Sequence, residues 1–96
     1  KNIPSEVAIT PKVKYAIVWQ KDITDTKGNY LYGLTDLDHK TIIIRMGMPA
    51  KLTVETVLHE IIHAYDEEHK VGLTENQVLA LEHLAPVLVK LNLFKL

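Results

Sequence analysis

Two histidines and a glutamate stand in the order H-E-x-x-H near the middle of the chain, at His59, Glu60 and His63. Residues four apart on a helix lie on the same face, so the two imidazoles can bind one metal ion together. A tetrahedral Zn²⁺ would then need a third protein ligand and a water molecule. Glu60 lies about 100° around the helix from His59, so it can reach that water more easily than it can join the ligands. The motif therefore predicts a zinc site in which Glu60 is the catalytic carboxylate.

The residues around the motif have the period of an amphipathic helix. Its apolar positions form one continuous arc and comprise Leu52, Val54, Val57, Leu58, Ile61, Ile62 and Tyr65. His59, Glu60 and His63 fall on the opposite arc, together with Thr56 and Asp66. A histidine buried for structural reasons would lie within the apolar arc, so this pattern favours metal binding over a core role. The competing interpretation is chance placement of the motif on a solvated face.

Two carboxylates further along the chain compete for the third ligand position, Glu75 and Glu82. Both belong to a predicted second helix and, being seven residues apart, project from nearly the same face. Glu75 lies in the first turn, where the helix dipole favours an anion, and a short turn links it to the motif helix. Two strictly antiparallel helices would instead bring Glu82 level with the histidine pair, since each helix runs about 1.5 Å per residue away from the turn that connects them. Spacing alone leaves this choice open, because it depends on the crossing angle.

A further carboxylate is often needed beside a metal-binding histidine, because it orients the second ring nitrogen. Asp66 and Glu67 follow the motif closely and are candidates for that role.

The predicted fold class is α+β. Strands are expected at residues 12–20, 30–35 and 41–46, after an irregular N-terminal arm, and polar turns connect them into a three-stranded antiparallel sheet. Gly33 interrupts the second strand and indicates a bulge or a close backbone approach. The H-E-x-x-H helix follows, with Thr53 as its expected cap and an end near Glu68. A second helix opens at Thr74 and is kinked or split near residue 85 by Pro86.

Composition sets limits on function. With 96 residues the chain is expected to form a single domain, residues 1–96. The 11 basic and 12 acidic residues form no basic cluster, so nucleic acid is not an expected partner. No apolar run has the length that a membrane span requires. The absence of cysteine excludes disulfides and thiolate metal sites, and a cytoplasmic location is expected.

Four segments in a fixed order carry a resemblance to a known family: a strand hairpin from Gly33 to Ile42, the helix LHEIIHAYD, the segment GLTENQV, and a closing helix up to Asn92. Over residues 30–93 the chain resembles the small zincin-type metallopeptidases of phages and bacteria. These are minimal relatives of the immunity-type peptidases that cleave phage or mobile-element repressors. The resemblance implies that His59, His63 and Glu75 bind zinc and that Glu60 is catalytic. The family usually carries a small residue where this chain has Glu82.

The function predicted from these residues is zinc-dependent peptide hydrolysis. Zinc lowers the pKa of its water, Glu60 takes the proton, the hydroxide attacks the peptide carbonyl, and Glu60 returns the proton to the leaving amine. The strand at residues 41–46 is expected to pair with an extended peptide or protein substrate. A chain of this size supplies one wall of a cleft, so a homodimer or a larger protein partner is expected to complete it.

The alternative function belongs to a different class, a non-catalytic module that is stabilised by zinc and binds a protein partner. Under either function, the family resemblance implies that the protein is phage-encoded. The presence of Glu60 favours the enzyme, because a purely structural zinc site has no use for this carboxylate.

Overall fold

The computed structural model describes residues 3–92. Within this range the chain forms four strands and three helices: β1 (Glu6–Thr10), β2 (Val13–Gln20), β3 (Gly33–Asp36), β4 (Thr41–Arg45), α1 (Ala50–His69), α2 (Glu75–Glu82) and α3 (Ala85–Lys90). The predicted fold class, α+β, is confirmed. None of these helices is long and apolar enough to cross a membrane.

The strands form one mixed sheet in the order β1-β2-β4-β3. β1 pairs with β2 and β3 pairs with β4 in the antiparallel sense, whereas β2 and β4 are parallel. The prediction of a three-stranded antiparallel sheet is therefore wrong. Part of the expected N-terminal arm is a fourth strand, and β4 rather than β3 lies beside β2. Short turns determine which strands form a hairpin, but they do not determine which strand of the β3–β4 hairpin docks against β2.

The core lies between the sheet and α1. The alternation predicted for β2 is observed, because Tyr15 and Ile17 are buried while their neighbours Ala16 and Val18 are exposed. The buried core cluster consists of Ile9, Tyr15, Ile17, Ile42, Ile44, Val57 and Ala64. One face of α1 therefore rests on the inner face of the sheet, which fixes where the motif helix runs.

The predicted cap of α1 is wrong by one turn. Pro49 occupies the N-cap position, and Thr53 lies inside the first turn, where its hydroxyl donates to the Pro49 carbonyl oxygen at 3.0 Å. The helix ends at His69, followed by Lys70 with a positive φ of 54°. The end predicted near residue 68 is therefore correct to one residue.

The break predicted at Pro86 is observed as a split. α2 ends at Glu82, and α3 begins at Ala85 with the proline in its first turn, where a missing backbone N–H leaves no hydrogen bond unmade. The capping box predicted at the start of α2 is also present. Gln77 N donates to the Thr74 hydroxyl at 3.1 Å, and Thr74 N donates to the Gln77 side chain at 2.8 Å.

The polar arc of α1 is partly buried. Thr56 and Glu60 are buried, whereas Tyr65, on the predicted apolar arc, is 49% exposed. The reason is that α1 contacts α2 and β3 in addition to β1 and β4. Periodicity identifies the most apolar face of a helix, but it does not reveal a second contact made through polar residues.

Candidate metal centre

Three side chains converge where α1 meets the first turn of α2. His59 Nε2 and His63 Nε2, one helical turn apart, are separated by 3.1 Å. Glu75 Oε2 lies 3.5 Å from His59 Nε2, and Glu75 Oε1 lies 3.4 Å from His63 Nε2. These are the three residues predicted as ligands, and together they could hold a metal ion.

The separations fit the size of a zinc ion. Bonds of about 2.0–2.1 Å at tetrahedral angles place neighbouring ligand atoms about 3.3 Å apart. The separations among His59, His63 and Glu75 run from 3.1 to 3.5 Å. Two imidazole nitrogens and one carboxylate are also a donor set that suits catalytic zinc. The Glu75 side chain is 60% exposed, so this side of the cluster is open to solvent.

The turn between α1 and α2 brings Glu75 to the Nε2 atoms of the two histidines. Lys70 and Gly72 both have positive φ, 54° and 84°, which reverses the chain sharply. Asp66 Oδ1 accepts hydrogen bonds from the backbone N–H groups of Gly72 at 2.7 Å and Leu73 at 3.0 Å. This turn brings the first turn of α2, and with it Glu75, over the exposed side of the histidine pair.

Glu82 contacts the same histidine at its other nitrogen. Its Oε1 lies 2.6 Å from His59 Nδ1, so it does not join the cluster of Nε2 atoms. Neither residue proposed from sequence to orient a histidine is in that position. Asp66 accepts backbone hydrogen bonds, and Glu67 pairs with Lys70 Nζ at 3.0 Å.

Glu60 is buried between α1 and β3. Its exposure is only 7%, and the Thr35 hydroxyl lies 2.7 Å from Glu60 Oε1 and 3.0 Å from the Glu60 carbonyl oxygen. Burial raises the pKa of Glu60 above its ordinary value, opposed by the Thr35 hydrogen bond and by the nearby imidazoles of His59 and His63. A cation bound at the cluster would favour the ionised carboxylate further.

Two grooves follow α1 on either side of this carboxylate. The first, of about 390 Å³, is lined by Leu31, Gly33, Leu34, Thr35, Leu37, Glu60, His63, Asp66 and Glu67. The second, of about 320 Å³, is lined by Tyr32, Gly33, Leu52, Glu55, Thr56, His59, Glu60, Leu79 and Glu82. Both include Gly33 and Glu60, so they meet at β3 beside the candidate metal centre. A groove of about 410 Å³ between α1 and α3 contains none of the candidate ligands.

The strand expected to pair with a substrate is not available. β4 lies between β2 and β3, and both of its edges are already hydrogen-bonded. The assignment of that role to residues 41–46 is therefore wrong. β3 is one of the two edge strands of the sheet, and it is the edge strand that lines both grooves.

Arg45 is a residue of this region that the motif analysis missed. Its buried guanidinium donates to three backbone oxygens, those of Leu31 at 2.8 Å, Ile23 at 2.8 Å and Lys21 at 3.1 Å. The group also lies 3.5 Å from the centre of the Tyr30 ring. These contacts fix the connection that leads into β3. The sequence signal that could have identified Arg45 is its position directly after three isoleucines, because a charged side chain at the end of a buried apolar strand must be paired.

Comparison of the chain with protein-family models, curated protein sequences and solved structures gives no significant match. The resemblance to zincin-type peptidases therefore stays a prediction.

Proposed function

We propose that this protein is a zinc-dependent peptidase with His59, His63 and Glu75 as metal ligands and Glu60 as the general base. The observation that carries the proposal is the spacing of the three donor groups, 3.1 to 3.5 Å, beside a buried carboxylate on the same helix. A structural metal site needs the ligands alone and has no role for that carboxylate.

The protein groups have separate tasks in this scheme. Bound zinc would supply Lewis acidity, which activates water and polarises the scissile carbonyl. Glu60 accepts a proton from the attacking water and transfers it to the leaving nitrogen. The Thr35 hydroxyl, 2.7 Å from Oε1, fixes the orientation of the carboxylate. Burial of Glu60 limits the competition of bulk water for that proton.

The edge of β3 is the proposed substrate-binding strand. An extended peptide that adds to this edge would gain main-chain hydrogen bonds and place successive side chains in the two grooves. Each groove includes leucine side chains, Leu34 and Leu37 in one, Leu52 and Leu79 in the other. Peptides with apolar residues around the scissile bond are therefore the expected substrates.

A non-catalytic zinc-stabilised interaction module is the second candidate. It is favoured by the apolar side chains that α2 and α3 expose, namely Leu79, Leu81, Val87 and Val89, and by Leu84 between the two helices. An exposed apolar surface of this kind is typical of a site that binds another protein or a second copy of the chain.

The substitution Glu60→Gln distinguishes the two functions. The amide has nearly the same volume but cannot accept the proton, so the variant should retain stoichiometric zinc and lose cleavage of a mixed peptide library. Glu6→Gln, on the distant strand β1, is the matched control and should cleave as the wild type does. Cleavage that survives Glu60→Gln would reject the general-base role. A wild-type protein that holds zinc but cleaves no peptide would favour the interaction module, and one that holds no zinc would reject both functions.

A further inference from the structure

Both nitrogens of the His59 ring face carboxylates of the same helix. Glu82 Oε1 lies 2.6 Å from Nδ1, and Glu75 Oε2 lies 3.5 Å from Nε2. The side chains of His59 and Glu82 are only 16% and 19% exposed, so their hydrogen bond is largely shielded from water. His59 is therefore held more firmly than His63, whose side chain is 35% exposed.

The contact with Glu82 determines which nitrogen carries the proton. An ionised carboxylate has only acceptor atoms, so the hydrogen bond requires a proton on His59 Nδ1. In a neutral ring that arrangement leaves the lone pair on Nε2. Nε2 is the atom that faces His63 and Glu75.

The packing of α2 maintains this arrangement. Val78 is 1% exposed and lies between Glu75 and Glu82 in sequence, three residues after the first and four before the second. Residues at these spacings share one face of a helix. The buried valine therefore anchors that face of α2 against the body of the protein, and a carboxylate extends from each side of it toward His59.

We infer that Glu82 is a positioning residue, which fixes the tautomer and ring orientation of His59 so that Nε2 is ready to bind zinc. This role rests on the proposed metal site but not on catalysis. Carboxylates that accept from the second nitrogen of a metal-binding histidine raise its basicity, and their loss typically lowers metal affinity 10- to 100-fold. Glu82 acts through His59 and is not itself a ligand.

The test combines zinc affinity with the tautomer of His59, in the wild type, Glu82→Ala and Glu82→Gln. Competition with a chromophoric chelator should show a zinc affinity about 10- to 100-fold lower for Glu82→Ala, and a smaller loss for Glu82→Gln, whose amide oxygen still accepts. Nitrogen-15 NMR of the metal-free proteins should show His59 protonated at Nδ1 in the wild type and a mixture of tautomers in Glu82→Ala. Glu6→Ala, which removes a carboxylate paired with Lys14 from the distant strand β1, should leave both measurements unchanged.

Several outcomes would overturn this role. If Glu82→Ala binds zinc as tightly as the wild type, or keeps the proton on Nδ1, Glu82 does not position His59. If Glu82→Ala loses zinc as completely as His63→Ala does, Glu82 is a ligand instead. If Glu82→Ala is unfolded and Glu82→Gln loses zinc affinity to the same extent, the role of Glu82 is merely structural. A wild type without zinc would overturn the metal site as well, whereas inactive wild type with bound zinc would overturn catalysis alone.

Discussion

The backbone of Gly33 lies so close to the side chain of Glu60 that a Cβ atom at position 33 would force neighbouring side chains to move. A Cβ atom there would lie 2.8 Å from Thr56 Cγ2 and 3.1 Å from Glu60 Cγ. The close approach predicted from the sequence is therefore confirmed. It brings the edge strand β3 directly against the proposed general base.

Gly33→Ala should destabilise the protein and disturb the position of Glu60. Overpacking of a close contact typically costs about 1–3 kcal/mol of unfolding free energy, measurable by urea denaturation. Peptidase activity at a matched zinc load should fall further than stability alone explains. Thr56→Ser removes the methyl group that the new Cβ would meet, so the double variant should recover part of the stability. If the two substitutions simply add, the contact is not the cause.

His63→Ala should abolish stoichiometric zinc binding. The loss of one of three protein ligands leaves too few donors, and the stabilisation that zinc gives the folded state should disappear with it. Metal analysis and thermal melting with and without a chelator measure both effects. His39→Ala is the control, because His39 lies in the β3–β4 turn with a side chain that is 80% exposed. Full zinc retention in His63→Ala would refute the proposed centre.

Arg45→Lys should loosen the connection that leads into β3 while leaving zinc binding intact. Lysine keeps the charge, but its single nitrogen cannot reach the three carbonyl oxygens that the guanidinium contacts through three separate nitrogens, so backbone acceptors lose hydrogen bonds. We expect a loss of about 1–3 kcal/mol in unfolding free energy. Hydrogen exchange should also accelerate at the N–H of Leu31, which donates to the Ile23 carbonyl oxygen at 3.0 Å. Unchanged exchange at Leu31 would contradict the role of Arg45 in this connection.

Glu68 should make the stability of the protein depend on acid pH. Hydrogen bonds from the Lys40 ammonium and the Tyr15 hydroxyl hold the pKa of Glu68 below its ordinary value. Between the folded and unfolded pKa values of Glu68, the unfolded chain binds more protons than the folded protein. The contribution of Glu68 to the free energy of unfolding is therefore present above the unfolded pKa and is lost as the pH falls through the folded pKa. Glu68→Gln should be less stable than the wild type at pH 7, and the difference should shrink near pH 3. A difference that stays constant between these pH values would contradict the assignment.

The sequence by itself determined the features that depend on neighbouring residues. The H-E-x-x-H spacing places His59 and His63 on one helical face, the Thr74–Gln77 pair starts α2, and Pro86 separates it from α3. Each of these follows from bonding or steric contact within about one turn of the chain, so no knowledge of the fold is needed. Glu75 was expected on the strength of the turn length and the family resemblance together.

The tertiary structure alone decided how these pieces meet. The parallel pairing of β2 with β4, the burial of Glu60 and the contact between Glu82 and His59 all join residues far apart in the chain. Local pattern cannot supply such contacts, because they depend on which strand of a hairpin docks and on the angle at which two helices cross. The crossing of α1 and α2 puts Glu75 at one nitrogen of His59 and Glu82 at the other. The spacing of the two glutamates in the sequence is compatible with either of them joining the candidate metal centre.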